Sequence, residues 1–150
     1  MVIETSRFGG IEVDAQRFIQ FPKGLLGFPD DHDFALIQTG ENSAFYWMQS
    51  VARPDLAFVV CDPRLFVADY KLAIKPEELS AIGMDNVDGC QVFVIVNKVD
   101  DTLTGNLQGP LVINVTTRTG RQLVLADKRY STRYPLMQLP ARPEAVSKTA

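Results

Sequence analysis

The feature that most narrows the fold is a rhythm of short apolar runs. Runs rich in β-branched and aromatic side chains recur at 2–5, 11–13, 18–21, 34–39, 45–50, 56–61, 91–97, 111–117 and 121–125. Turn-forming stretches separate them: RFGG after the first run, Pro22 after the third, GENS at 40–43, RPD at 53–55 and RTG at 118–120. Short strands punctuated in this way predict an all-β domain with mostly antiparallel pairing, and closure would hide its edges. The expected class is a small antiparallel β-barrel-like domain with one or two short helices. LAFVVC at 56–61 is apolar at every position, which predicts a central strand covered on both sides. Only KPEELSAIG at 75–83 invites a helix, with proline and acids in its first turn and glycine at its end. A second short helix could follow Arg64 to Phe66. KGLLGFP at 23–29 is apolar but broken by two glycines, so it reads as an ordered loop. Gly120 is expected to supply a positive φ in the last hairpin, and Tyr134-Pro135 to break any strand. The expected division is one β domain over 1–137 and a flexible tail over 138–150.

A chain of 150 residues with 46% hydrophobic residues can bury a core without a metal or disulfide staple. No apolar run approaches the roughly 18 residues of a transmembrane helix, and the N-terminal ten residues lack an apolar signal core. Neither a membrane partner nor secretion is expected. The single histidine, His32, lies in DDHD at 30–33, where consecutive side chains diverge and read as a hydrated turn rather than a metal site. Cys61 and Cys90 border apolar runs and read as reduced core thiols. No nucleophile-plus-base motif is present, so neither catalysis nor a cofactor is expected.

Charge is unevenly spread. Residues 1–50 carry three basic and seven acidic side chains, a net of −4. Residues 101–150 carry seven basic and three acidic, a net of +4. Arg118, Arg121, Lys128, Arg129 and Arg133 concentrate the excess, either as a solvated face or as a local anion-attracting one. An RNA-binding barrel acting through this basic C-terminal hairpin is the alternative reading. The overall charge of −3 and the lack of an aromatic run beside the arginines weigh against it.

Several polar residues sit where they need an internal partner or a bound one. Asn106 and Gln108 lie in the glycine- and proline-bounded turn TGNLQGP, and Asn114 interrupts LVINV. Gln49 in YWMQS and Asp69-Tyr70 in FVADY stand beside large aromatics and suit core and surface about equally. Phe45, Trp47 and Phe66 read as core.

Together these residues resemble a known family. Gly24-Leu25-Leu26-Gly27-Phe28 with Phe34 and Leu36 is similar to its first signature. Met48-Gln49-Ser50, Asp62-Pro63, Phe66 and Asp69-Tyr70 are similar to its second. Thr104, Asn106-Leu107, Gly109-Pro110, Asn114, Gln122, Tyr130 and Pro135-Leu136 are similar to its third, with Gly105 where alanine is commoner. The family is that of the FliW flagellar assembly factors. The resemblance implies a cytoplasmic, non-catalytic, β-barrel-like protein. It would bind newly made flagellin and, once freed, bind and antagonise the translational regulator CsrA, without direct contact to nucleic acid. A binder of amphipathic flagellin segments needs an apolar patch rimmed by polar groups. The candidate partner-binding residues are Leu26, Phe28, Gln49, Asp69, Tyr70, Asn106 and Leu107. Leu26→Asp or Tyr70→Ala is expected to weaken one partner in a domain that stays folded.

Overall fold

The computed structural model describes residues 1–38, 40 and 43–140. β1 (Val2–Thr5) and β2 (Gly9–Glu12) form a separate antiparallel hairpin. The main sheet contains β3 (Phe18–Gln20), β4 (Asp33–Ile37), β5 (Phe45–Ser50), β6 (Ala57–Cys61) and β7 (Cys90–Val99). It continues with β8 (Thr102–Gly105), β9 (Leu111–Asn114), β10 (Thr119–Gln122) and β11 (Tyr134–Gln138). Its order is β11-β8-β7-β6-β5-β4-β3-β10-β9, and β9 also pairs with β7. That last pairing closes β3, β4, β5, β6, β7, β9 and β10 into a barrel, from which β8 and β11 extend as a flap. The barrel is the expected all-β class.

Pairing is antiparallel except between β3 and β10, which meet in parallel with Thr119 opposite Gln20. Seven is an odd number, so strands that simply alternate in direction cannot close a ring. One parallel junction is the geometric consequence, and it is one that short-range turn signals cannot announce.

Alternation along each strand divides two hydrophobic layers. Inward residues Ile19, Phe34, Leu36, Met48, Val60, Phe93, Leu111 and Ile113 form one buried cluster with Phe21 and Leu25. Outward residues Cys61, Val92, Val94, Val96 and Val112 join a second, completed by Val67, Tyr70, Ile82, Leu107, Leu123, Leu125 and Tyr130. The covering chain runs between β6 and β7 and includes α1 (Pro76–Ala81), which buries Leu79. The helix that could follow Arg64 to Phe66 does not form; a single 3-10 turn, Pro63–Leu65, overlaps that stretch instead, and its Arg64 N–H donates to Asp62 Oδ1. The β1–β2 hairpin caps a third small cluster of Ile3, Val13 and Ala35.

Three local expectations are corrected. Positive φ in the last hairpin falls on Arg118, at 62°, and not on Gly120. Glycine at 120 answers a packing demand, since a Cβ there would lie 2.6 Å from Phe21 Cε1. Tyr134-Pro135 does not end the sheet: β11 is the edge strand, where proline has no ladder N–H to lose, and its register shifts between Pro135 and Met137. The same strand runs to Gln138, whose side chain donates to Thr102 Oγ1 at 2.8 Å, and the Leu139 N–H donates to the Asp101 carbonyl. The boundary expected after 137 therefore falls inside a strand. The rest of the expected tail, 141–150, lies outside the described residues.

Gly120→Ala is expected to lower stability by about 1–3 kcal/mol, the cost of overfilling a packed core. Urea unfolding followed by far-UV circular dichroism measures it, and an unchanged midpoint would contradict the packing assignment.

Candidate protein-interaction site

The expected contact residues separate into those on the surface and those that build the scaffold beneath it. Leu25 and Phe28 exchange backbone hydrogen bonds of 3.0 and 2.8 Å across the turn Leu26-Gly27, with Gly27 at φ 83°. This geometry lifts Leu26 to 58% exposure. Phe28 is half-buried, edge-on to Phe58 at 5.2 Å. Arg53 lies 5.8 Å over its ring and pairs with Asp31 at 3.0 Å. The loop is tied down from a distance in sequence, because the Leu26 N–H donates to Gln122 Oε1 at 2.8 Å.

Gln122 then donates to the Gly109 carbonyl at 2.9 Å, and the Gly109 N–H donates to Asn106 Oδ1 at 2.9 Å. The neighbouring Leu107 is fully buried, and its carbonyl accepts from the Tyr70 hydroxyl at 2.6 Å. Tyr70 packs edge-on against Tyr130 at 4.7 Å. The Tyr130 hydroxyl accepts from the Lys71 N–H and donates to the Asp69 carbonyl at 3.4 Å. Six of the seven expected residues thus lie along one chain of loop-to-loop contacts. Tyr70 and Leu107 are nevertheless buried, so their side chains offer no surface to a partner. Burial, and then the neighbouring Tyr130, push the Tyr70 phenol well above its ordinary range. Asp69 and Leu26 are exposed, and Asn106 and Phe28 are half-buried.

Gln49 is also corrected to the core, at 1% exposure. Its amide NH2 faces the carbonyls of Ser50, Arg53, Pro54 and Leu56 at 3.1–3.3 Å, which holds the turn between β5 and β6. Asn114 does the same for the last hairpin, donating to the Ile82 carbonyl at 2.8 Å and accepting from the Thr116 and Thr117 N–H groups. Asn114 thereby meets backbone groups that would otherwise stay unpaired, whereas three of the four carbonyls facing Gln49 already accept a backbone N–H, and Gln49 Oε1 has no partner among the described residues.

The surface that sequence reasoning missed lies on the outer face of β5 to β8. Trp47 is half-buried there, opposite Val59, which is opposite Val96. With Phe45, Leu103 and Lys98 they line a groove of about 290 Å³. Arg7 lies 4.0 Å over the indole ring, and Phe8 meets it edge-on at 6.2 Å. The signal was present in β5: Tyr46 and Met48 point inward, so Phe45 and Trp47 must point out. A partly exposed tryptophan beside aliphatic side chains, with a cation at the rim, is the composition of a protein-binding hot spot. Burial, then Asp62, push the buried Cys61 thiol from its ordinary 9.0 up to about 12. No group of His, Cys, Asp and Glu able to hold a metal occurs among the described residues.

The basic residues do not behave as one face. Arg129 pairs with Asp127 at 2.7 Å, whereas Arg118 is half-buried at one end of the barrel.

Comparisons with known proteins agree with this architecture. The profile of the family described as FliW protein matches residues 2–136. The flagellar assembly factor FliW of Leptospira biflexa is 38% identical, over 92% of this chain and 92% of its own. That of Bdellovibrio bacteriovorus is 38% identical over 91% of this chain and 79% of its own. A crystal structure of the flagellar assembly factor FliW superposes with a TM-score of 0.81 at 31% identity, covering 91% of this chain and 97% of that one.

Tyr70→Phe should cost about 1–2 kcal/mol by orphaning the Leu107 carbonyl. Tyr70→Ala should cost about 3–5 kcal/mol, and Leu26→Asp no more than about 0.5 kcal/mol. Urea midpoints rank the three, and a Leu26→Asp loss as large as that of Tyr70→Ala would refute the division into surface and scaffold. Cys61 supplies a pH dependence. It stays protonated in the native state where the unfolded thiol ionises, so stability is full below pH 9.0 and is lost as pH rises toward about 12. Between about pH 9 and pH 10, below the main tyrosine range, Cys61→Ala should show the shallower decline of unfolding free energy.

Proposed function

The chain belongs to the FliW family, and on that premise we propose that it is a non-catalytic flagellar assembly factor of the bacterial cytoplasm. It binds flagellin before export. Once export frees it, it binds CsrA and lifts repression of flagellin mRNA. The observation on this chain that best supports docking is the groove of about 290 Å³ beside the half-buried Trp47 and Val59, with Leu103 and Lys98 in its lining. A barrel closed by hydrogen bonds offers a rigid platform, and an apolar groove with a polar rim suits one face of an amphipathic segment. Among the described residues no helix is long and apolar enough to cross a membrane.

Antagonism of CsrA follows from linkage. A protein shifts CsrA between RNA-bound and free forms only by binding the two with different affinity. The acidic N-terminal third, with a net of −4 over residues 1–50, favours approach to a basic RNA-binding partner.

In calorimetry with purified proteins, flagellin and CsrA should each bind at micromolar concentration or better, and each should displace the other. Trp47→Ala should weaken at least one partner by about ten-fold or more, as hot-spot truncation does, with circular dichroism unchanged. The CsrA association rate should fall as salt rises. If neither protein binds, the reading fails. If the chain alone retards flagellin leader RNA in a gel, RNA binding through the basic hairpin takes its place.

A further inference from the structure

One end of the barrel carries a feature that closure of the fold does not require. A pocket of about 350 Å³ opens there, floored by the inward side chains Leu36, Tyr46, Phe93 and Ile113. Two arginines, Arg17 and Arg118, stand at its rim. Neither meets a carboxylate among the described residues, where the ion pairs are Met1–Glu12, Asp31–Arg53, Asp62–Arg64 and Asp127–Arg129. Burial lowers the Arg118 pKa from its ordinary value, and the like charge of Arg17 lowers it further.

Arg118 is held in place rather than waving in solvent. Its N–H donates to the Asn114 carbonyl at 2.8 Å, and its own carbonyl accepts the Gln20 N–H at 2.9 Å across the parallel junction. Its side-chain Nε donates to the Phe18 carbonyl at 3.2 Å. The residue adopts φ 62°, a conformation that glycine or asparagine takes at less cost. Two like charges, one of them half-buried in a disfavoured backbone conformation, lie over an apolar floor. This is an arrangement in which an incoming anion relieves repulsion, and the mouth of a β-barrel is a recurrent place for a ligand.

We propose that this barrel mouth is a docking pocket for an acidic segment of a protein partner, seating one carboxylate between Arg17 and Arg118 and its neighbouring apolar side chain against Tyr46 and Phe93. A carboxylate matches the planar guanidinium fork with two parallel hydrogen bonds. The apolar floor favours a singly charged group with a hydrophobic neighbour over a strongly hydrated phosphate. A nucleic-acid backbone would bring many further charges to a chain whose net charge is already −3. The pocket also lies on the inward side of β5, whereas Trp47 faces outward, so it adds a second point of recognition to the groove.

The test uses the ¹⁵N-labelled full chain and three probes: an N-acetylated, C-amidated Phe-Asp-Leu peptide, its Phe-Asn-Leu counterpart, and inorganic phosphate. The acidic peptide should shift the side-chain Nε–H signals of Arg17 and Arg118 together with the Phe93 and Ile113 amides. The asparagine counterpart and phosphate should bind about ten-fold more weakly or less, the loss expected for a charge-assisted pair. Arg118→Asn, which suits the left-handed conformation, should abolish the shifts. Arg17→Gln, on an exposed side chain, should weaken them even if Arg118→Asn perturbs folding. Equal binding of the two peptides, tighter binding of phosphate, or shifts that persist in both variants would overturn the proposal.

Discussion

Strand β7 is the member on which both layers of the structure depend. Its ten residues are long enough to serve two partners on one edge: Cys90 to Phe93 pair with β9, and Val96 to Val99 pair with β8. The other edge pairs with β6 through Val94 to Val96. The β9 contact closes the ring, so the barrel has no free edge there, and the β8 contact launches the flap. Because neighbouring residues point to opposite faces, Phe93 and Ile95 serve the barrel interior while Val92, Val94 and Val96 serve the outer core. A one-residue slip of this strand would exchange the two layers, which is why the register is so strongly specified.

The segments that cover the outer layer lack regular pairing, and side-chain amides and phenols stand in for it. Asn106, Gln122, Asn114 and Gln49 each bind backbone groups of a turn or of a second loop. Tyr70 and Tyr130 clasp the chain after β6 to the turn before β9. In water such bonds contribute little net stability, but a loop buried without them would leave orphaned carbonyls. The residues that made the sequence resemble a family are therefore largely those that hold its loops in register. A match across 2–136 speaks to the scaffold more directly than to any one contact surface.

Much of the fold was legible because alternation and turn chemistry act locally. The apolar run at 56–61 reads as a strand covered on both faces, and β6 indeed divides Phe58 and Val60 from Val59 and Cys61. What escaped depends on distant partners. Gly120 is explained only by Phe21, nearly a hundred residues earlier, and the parallel β3–β10 junction only by the strand count of the ring. Tyr70 and Gln49 look amphipathic in sequence, yet the Tyr70 hydroxyl and the Gln49 NH2 meet carbonyls inside the protein. Trp47 was hidden by the opposite error. Large aromatics are presumed buried, and the alternation of β5 that places it outward is outweighed by that presumption unless followed strictly.

The division between a rigid scaffold and a few exposed side chains bears on how such a domain could exchange partners. A closed barrel with a close-packed interior has few alternative conformations, so one partner can hardly expel another by reshaping it. Mutual exclusion on such a body is most simply overlap of footprints on the same face. Any effect on a bound partner must then be written into the partner's own conformations, or into charge presented across the interface. The outer groove and the barrel mouth meet at β5, where Trp47 faces outward and its neighbour Tyr46, which lines both, faces inward. Two partners that both used that strand would collide, whereas a single partner spanning groove and mouth would gain effective concentration from the pair of weak contacts. If groove and mouth both dock partners, exclusion and avidity would follow from the same short strand, without any moving part.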